Sequence, residues 1–269
     1  MRIGKRSLIM ALSMMLAMTL SVFGTMAYLT STASATNTFT VGNVLIDLDE
    51  TAVDPEGNPK YDLDGNGTPD VSVDEDGNIT VLPDSSVPKD EIPDQGTIDE
   101  NGNLVPEQGK PIPPSRNKGN QYNLVPGKEF LKDPTVTVKE GSEESYVRMV
   151  VTITNAAAVK DALGCAAGDV LGVIVPDLNL TAWPLSGIVE DTTADTITYE
   201  FRYFETVNGK DGDKVLPALF ETFQVPVTVG NKGLEAFQGM QMTVEGHAIQ
   251  SAALADEKAA WAAFDGQMN

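Results

Sequence analysis

From residue 121 onward, apolar and polar residues alternate in short runs, which is typical of strands that bury one face. The alternation predicts strands at residues 133–140, 145–155, 196–205, 222–229 and 239–250. The apolar runs DVLGVIVP at 169–176 and LNLTAWPL at 178–185 are predicted to be strands as well. Pro226 interrupts one alternating run and lacks a backbone donor, so we expect that strand to be bulged or at a sheet edge.

In three of these runs the pattern defines which side chains should point into a core. They are Val147, Met149, Val151 and Ile153 in the run at 145–155; Ile197, Tyr199, Phe201 and Tyr203 in the run at 196–205; and Phe223, Val225, Val227 and Val229 in the run at 222–229. The opposite faces are more polar, so each of these strands is expected to be covered on one side only.

A further strand is predicted near the N-terminus, within residues 28–51. Its apolar residues share one face only if the register shifts once, and a β-bulge at Gly42–Asn43 would produce that shift. The residues on this face are Phe39, Val41, Val44, Ile46 and Leu48. Such a strand needs a covering layer and backbone partners, so we expect it to complete the sheet of residues 121–269 or that of a neighbouring chain.

Helices are predicted to be few and short. The candidates are NAAAVKDAL at 155–163, NKGLEAFQ at 231–238, and DEKAAWAAF at 256–264, which should begin after Asp256 and end at Gly266. About eight strands with so little helix predict a mainly β fold, specifically an antiparallel two-sheet β-sandwich of the jelly-roll type.

Residues 52–120 differ in composition from the rest of the chain. They are rich in Asp, Pro, Gly and Asn and poor in large apolar residues, which predicts an acidic, disordered insert without a core of its own. Three units share one turn chemistry, in which Asp and Asn supply local hydrogen bonds and Gly a positive φ angle. These units are Asp54–Asn58, Asp74–Asn78 and Asp99–Asn103. We expect short hairpins at most.

The first residues are typical of a secretory signal peptide, with basic residues before an apolar run from Leu8 to Phe23. That run is shorter than the roughly 20 residues of a spanning helix. We predict cleavage by signal peptidase after Ala27, with cleavage after Ala35 and retention as an uncleaved anchor as alternatives. No second apolar run of spanning length follows, so the mature chain is expected to lack a transmembrane anchor and to be secreted.

The chain carries 39 acidic and 18 basic residues, for a net charge of −21. This charge opposes binding to nucleic acid or anionic lipid and favours cations and basic partners. We therefore expect no nucleic-acid partner. The single cysteine, Cys165, cannot form an internal disulfide, so an exported chain of this kind must be stabilised by a packed core.

The sharpest local motif is DLDGNGTPD at residues 62–70. Its candidate ligands are spaced as in a calcium-binding loop. They are the side chains of Asp62, Asp64, Asn66 and Asp70 and the carbonyl oxygen of Thr68. Val73 occupies the position at which a bidentate glutamate would complete a helix-loop-helix site. A weak calcium site, with a dissociation constant of about 10⁻⁴ to 10⁻³ M, and a solvated acidic turn both fit this motif. No other cofactor is predicted.

Three separated blocks of the sequence resemble the TasA/camelysin family of Gram-positive bacteria, whose members carry a SipW-type signal peptide. The blocks are MAYLTSTASATNTFTVGNVLIDLDE, LVPGKEFLKDPTVTVKEGSEESYVRMVVTI and GHAIQSAALADEKAAWAAF. The resemblance covers residues 1–50 and 121–264 but not the insert. It implies a secreted jelly-roll protein that assembles into fibres in the biofilm matrix or on the cell or spore surface. It also implies that residues 28–48 are donated as a strand to the next copy.

Two other functions remain open from the sequence. Camelysin was classed as a metallopeptidase, but His247 is the sole histidine and no His-Glu-x-x-His motif is present, so we name no catalytic residues. His247 shares a strand face with Gln241, Thr243 and Glu245 and is expected to be exposed. The other alternative is a monomeric surface adhesin whose acidic insert binds calcium or a basic partner.

Overall fold

The computed structural model describes residues 28–35, 44–106, 109–252 and 254–268. In these residues the chain is mainly β, as predicted, with several antiparallel sheets. Strands β1 to β17 are Tyr28–Ala35, Ile46–Thr51, Lys60–Tyr61, Val71–Val73, Ile79–Val81, Thr97–Ile98, Leu104–Val105, Arg116–Asn117, Gly119–Asn123, Glu129–Leu131, Thr135–Val138, Ser145–Thr154, Leu185–Asp191, Thr196–Arg202, Lys214–Val215, Thr222–Gln224 and Met242–Gln250. Helices α1 to α4 are Ala156–Leu163, Ala167–Ile174, Asn231–Leu234 and Glu257–Met268, and 3₁₀ turns lie at Lys89–Glu91 and Glu235–Phe237. None of the described helices is long and apolar enough to cross a membrane.

The largest sheet has six strands in the order β13-β14-β12-β17-β1-β9. Strand β12 pairs with β14 on one side and β17 on the other, both antiparallel, so that Met149 lies between Phe201 and Gly246. The predicted inward residues of β12 are all buried, and so are Ile197, Tyr199 and Phe201 of β14. The alternation therefore predicted both strands and their buried face correctly, except that β14 ends at Arg202 and Tyr203, also predicted to point inward, is only partly buried.

A four-stranded sheet in the order β15-β11-β2-β8 packs against the six-stranded one. The contact is close at Gly246 of β17, where an added Cβ would lie 3.3 Å from Val136 of β11 and 3.5 Å from Leu48 of β2. Side chains from both sheets belong to one buried core. These sheets agree with the mainly β prediction, while the two-sheet sandwich and its jelly-roll arrangement stay predictions. One pairing departs from the antiparallel expectation, because β1 runs parallel to β17.

The prediction that residues 52–120 form a disordered insert without a core was wrong. The described part of this segment contains the small sheets β3-β4-β5 and β6-β7. Tyr61, Val71, Val73, Ile92 and Leu104 are buried together in a cluster separate from the main core. The composition misled because a few apolar residues suffice for a small core when tight turns bring them together.

The three repeated turn units are what brings those residues together. In each unit the first aspartate accepts hydrogen bonds from the backbone N–H groups two and four residues later, at 2.8 to 3.0 Å. The fourth residue of each is a glycine with φ between 78° and 89°. This backbone conformation is energetically unfavourable for most other residues. Two of these turns close the β4–β5 and β6–β7 hairpins, so the predicted turn chemistry is correct.

Two segments predicted as strands fold differently. Residues 169–176 lie mostly in α2, because Val170, Leu171 and Ile174 fall on one side of a helix and are buried there. Residues 178–184 form an irregular, turn-containing segment that holds Trp183 in the core, where its Nε1 donates to the carbonyl of Pro217 at 2.8 Å, and Leu185 begins β13. Periodicity alone does not distinguish a short apolar strand from a buried helix.

Two predicted element ends also need correction. Strand β16 ends at Gln224, before Pro226, and the following turn leaves Val227 76% exposed rather than buried. Helix α4 continues past Gly266 to Met268 instead of ending there. A glycine in a helix costs only about 0.5–1 kcal/mol relative to alanine, which other contacts of the helix can offset. The helices predicted at 155–163 and 231–238 are confirmed, the second as α3 and a 3₁₀ turn.

His247 was expected to be exposed, but it is only 6% exposed because α4 covers this face of the sheet. Arg148 lies over the rings of Trp261 and Phe264, at 4.5 and 4.9 Å. Its Nε donates to His247 Nδ1 at 3.1 Å, and its other nitrogens bind Glu200 and Asp265. The sheet therefore holds α4 through one stacked and hydrogen-bonded arginine.

This arrangement makes stability depend on pH. Burial, and then the adjacent Arg148 guanidinium, lower the pKa of His247 below its ordinary 6.5, against the opposing attraction of Glu245, Asp265 and Glu200. A lowered pKa means that the unfolded chain binds the proton more readily than the folded chain. The contribution of His247 to the unfolding free energy is therefore fully present above pH 6.5 and is lost as pH falls through the folded-state pKa.

We expect His247→Gln, which keeps an acceptor for Arg148, to flatten the decline in unfolding free energy in the pH range between 6.5 and the ordinary aspartate pKa of 3.8. Aspartates with lowered pKa values, such as Asp74, change the unfolding free energy only below their ordinary pKa of 3.8, so they do not contribute to the decline in the range assigned to the histidine. Urea denaturation at several pH values measures the effect. An equal slope in both proteins would contradict it.

Candidate functional site

Strand β1, which directly follows the predicted cleavage site, lies inside the six-stranded sheet rather than at its edge. Residues 33–35 pair parallel with β17, from Ala33 opposite Val244 to Ala35 opposite Gly246. Residues 28–32 pair antiparallel with β9, from Tyr28 opposite Asn123 to Thr32 opposite Gly119. Without β1, backbone groups of both neighbours would lack their ladder partner, which is the situation of an open sheet edge. The N-terminal strand is therefore the piece that joins β9 to the rest of the sheet.

Three of the five residues predicted for strand donation can be placed. Val44, Ile46 and Leu48 are buried in the core, on or just before β2. Strand β2 pairs with β11 on one side and with β8 on the other. Phe39, Val41, the Gly42–Asn43 bulge and Ala27 lie outside the described residues. The segment predicted as one strand thus contributes β1 to one sheet and β2 to another.

The candidate metal loop brings three of its predicted ligands together. One carboxylate oxygen each of Asp62, Asp64 and Asp70 lies within 4.8 Å of the others. Asp62 accepts N–H groups of Gly65 and Gly67 at 2.8 and 2.7 Å, which fixes the loop around it. The arrangement offers oxygen ligands, as hard cations such as Ca²⁺ prefer.

Asp70 is the buried member of this loop. Against the cost of burial, hydrogen bonds from Leu63, Ser85 and Ser86 lower the pKa of Asp70, which favours its charged form. Its two oxygens accept the N–H of Leu63 at 2.9 Å and the hydroxyl of Ser85 at 2.9 Å. A charged carboxylate is thus held at the base of the loop.

Asn66, another predicted ligand, is hydrogen-bonded within the loop. Asn66 donates its amide group to Asp64 at 3.0 Å, and its oxygen accepts the N–H of Thr68 at 2.7 Å. Val73, at the position of the missing glutamate, is buried in β4. The loop is therefore closed by its own side chains, and no helix-loop-helix hand is formed.

The environment of His247 gives no support to a metallopeptidase. Its Nδ1 already accepts the Arg148 hydrogen bond, and its Nε2 lies 3.8 Å from Glu245. Within the residues that the structure describes, the only group of His, Cys, Asp or Glu side chains close enough to hold a metal is the Asp62 loop, which contains no histidine.

Comparison with known proteins gives no independent support for a family. No family model, curated protein or solved structure matches this chain. The resemblance to the TasA/camelysin family therefore remains a prediction from the sequence.

One polar cluster was not predicted from the sequence. Lys132 and Glu50 form an ion pair whose side chains are completely buried, and Asn120 donates to the same glutamate at 2.9 Å. A signal was present, because Lys132 follows Phe130 at the strand period and Glu50 follows Leu48 in the same way. Each charge thus lies on the apolar face of its pattern.

The contact between β2 and β17 yields a stability prediction. Gly246→Val should reduce the unfolding free energy by about 1–3 kcal/mol, because the new side chain meets Val136 and Leu48. Gly187→Val is the matched control in strand β13, where an added Cβ would meet only Glu200, at 4.0 Å. Thermal and chemical denaturation measure both. Equal destabilisation of the two proteins would contradict this packing.

Proposed function

We propose that the chain is a secreted structural protein that assembles into fibres by exchanging β1 between copies. The observation that carries the proposal is the position of β1 between β17 and β9. A terminal strand in the middle of a sheet can be supplied by another copy, because the same backbone bonds form in either case. Chains that each donate to the next without rotational closure form a filament.

We assign exchange to β1 and retention to β2. Strand β2 is paired on both sides and carries the buried Glu50–Lys132 ion pair, so its removal would leave an uncompensated charge in the core. The donor segment implied by the family resemblance, residues 28–48, is thereby narrowed to its first part. Val44, Ile46 and Leu48 then stay in their own subunit.

The register between β1 and β9 allows a direct test. In a Cys165→Ala background, Thr30→Cys and Gln121→Cys place thiols at directly opposite positions. Under assembling conditions we expect oxidation to produce a ladder of covalent oligomers on a denaturing gel, and in dilute protein a cross-linked monomer.

The matched control is Asp47→Cys with Thr137→Cys, which are opposite each other on β2 and β11. If β2 is retained, this pair should cross-link only within the chain. Fibres that contain only internal cross-links from the β1–β9 pair would show that β1 is not exchanged.

The convergence of carboxylates in the Asp62 loop favours calcium binding as an additional property. Three negative groups within 4.8 Å repel one another, and a divalent cation would relieve that repulsion. We propose weak binding, with a dissociation constant of about 10⁻⁴ to 10⁻³ M. If calcium promotes assembly, the loop takes part in fibre formation. If the chain binds calcium but stays monomeric, the alternative function as a surface adhesin is favoured.

Calorimetric titration with calcium tests the loop. Asp64→Asn should weaken binding at least several-fold, because it removes one of the three converging charges. Asp74→Asn is the control, since Asp74 forms a similar turn outside the three-carboxylate group. Equal calcium affinity in both variants would show that the Asp62 loop is not the calcium site.

A further inference from the structure

The buried cluster around Glu50 joins an amine and an amide through one carboxylate. Lys132 Nζ donates to Glu50 Oε2, and Asn120 Nδ2 donates to Glu50 Oε1 at 2.9 Å. Lys132 and Glu50 are 0% exposed and Asn120 is 4% exposed. A nucleophile, an acyl group and a proton carrier are therefore adjacent and shielded from water.

Tyr122 lies beside the cluster, where burial, and then the charge of Glu50, raise the pKa of its hydroxyl well above the ordinary 10.0. The buried rings of Tyr122, Phe130 and Phe223 pack together, with centroids 4.8 to 5.6 Å apart, and the Tyr122 hydroxyl donates to the carbonyl of Leu131. Complete burial lowers the pKa of the Lys132 amine, against the opposing attraction of Glu50. Burial thus favours the neutral amine, which is the form that can attack a carbonyl carbon.

The amide oxygen of Asn120 is held by two donors. Its Oδ1 accepts the backbone N–H of Val53 at 2.9 Å and the Nδ2 of Asn117 at 2.8 Å. Donors placed in this way stabilise the negative charge that develops on a carbonyl oxygen during attack. A buried ion pair alone does not require them.

We propose that Lys132 and Asn120 become joined by an isopeptide bond, with Glu50 as the proton carrier. The Nζ lone pair attacks Cγ of Asn120, while Glu50 Oε2 takes a proton from Nζ. The protonated Glu50 carboxyl group then turns so that the same proton reaches Nδ2, the Cγ–Nδ2 bond breaks, ammonia leaves, and Glu50 returns to its carboxylate form. One amide is exchanged for another, so the step needs no oxidant, reductant or further reactant.

The bond would tie β9, the strand that receives β1, to the residue after β10. A chain with a single cysteine lacks the option of an internal disulfide, and this link would take that place. The inference does not rest on fibre assembly, because the reaction is complete within one chain.

Mass spectrometry of the purified full chain tests the proposal. After denaturation and trypsin digestion we expect a branched species in which residues 119–128 and 129–139 are joined, lighter than the two linear peptides by one ammonia. Trypsin should not cleave after Lys132. Intact mass alone is insufficient, because succinimide formation at Asn-Gly sequences such as Asn66–Gly67 also releases ammonia.

Glu50→Gln should abolish the branched peptide, because the carrier oxygen is lost. Lys139→Arg, which alters the exposed ion pair with Asp213, is the control and should keep it. Circular dichroism shows whether each variant folds. If Glu50→Gln does not fold, the wild-type peptide map still decides whether the bond exists. Linear peptides ending at an unmodified Lys132 in the folded wild-type protein would overturn the proposal, and an undiminished branched peptide in folded Glu50→Gln would overturn the role of Glu50.

Discussion

The six-stranded sheet is continuous only because β1 fills the gap between β17 and β9. One half of this strand satisfies β17 and the other half satisfies β9, so neither neighbour can pair fully if it leaves. Backbone groups in a sheet are costly to leave without partners when they are away from water. The chain therefore depends on a segment that, by the predicted processing, lies at its mature N-terminus, and the proposed exchange between copies rests on that dependence.

The buried polar cluster of Glu50, Asn120 and Lys132, here called the polar junction, is the second feature on which the structure depends. Glu50 comes from β2 and Asn120 from β9, and Lys132 directly follows β10, so three separated parts of the sequence meet there. Close by, Arg116 binds the carboxylates of both Asp49 and Asp133. Charges buried in this way stabilise a fold only when every partner is present. The junction thus selects one arrangement of these strands over others.

Much of the fold could be predicted because long strands such as β12 and β14 show strict alternation. The errors arose where tertiary structure overrides local pattern. Residues 169–176 are apolar enough for either element, and His247 looks exposed until α4, which follows it in the chain, covers it. The sequence shows that Glu50 and Lys132 each lie on an apolar strand face, but their pairing could not be foreseen, since they are 82 residues apart and pair only after folding. The Asp62 loop depends on neighbouring residues of one short segment, and its three aspartates do converge as predicted.

The segment between Val53 and β8 enters and leaves the molecule at almost the same place. Ala52 donates to the carbonyl of Ser115 at 2.7 Å, and Ser115 in turn donates to Lys60 at 2.8 Å. Because its two ends are neighbours and it buries its own small core, this segment can change in length without moving the strands on either side. It is a natural grafting point, at which evolution or an engineer can replace one surface module by another while the scaffold keeps its shape.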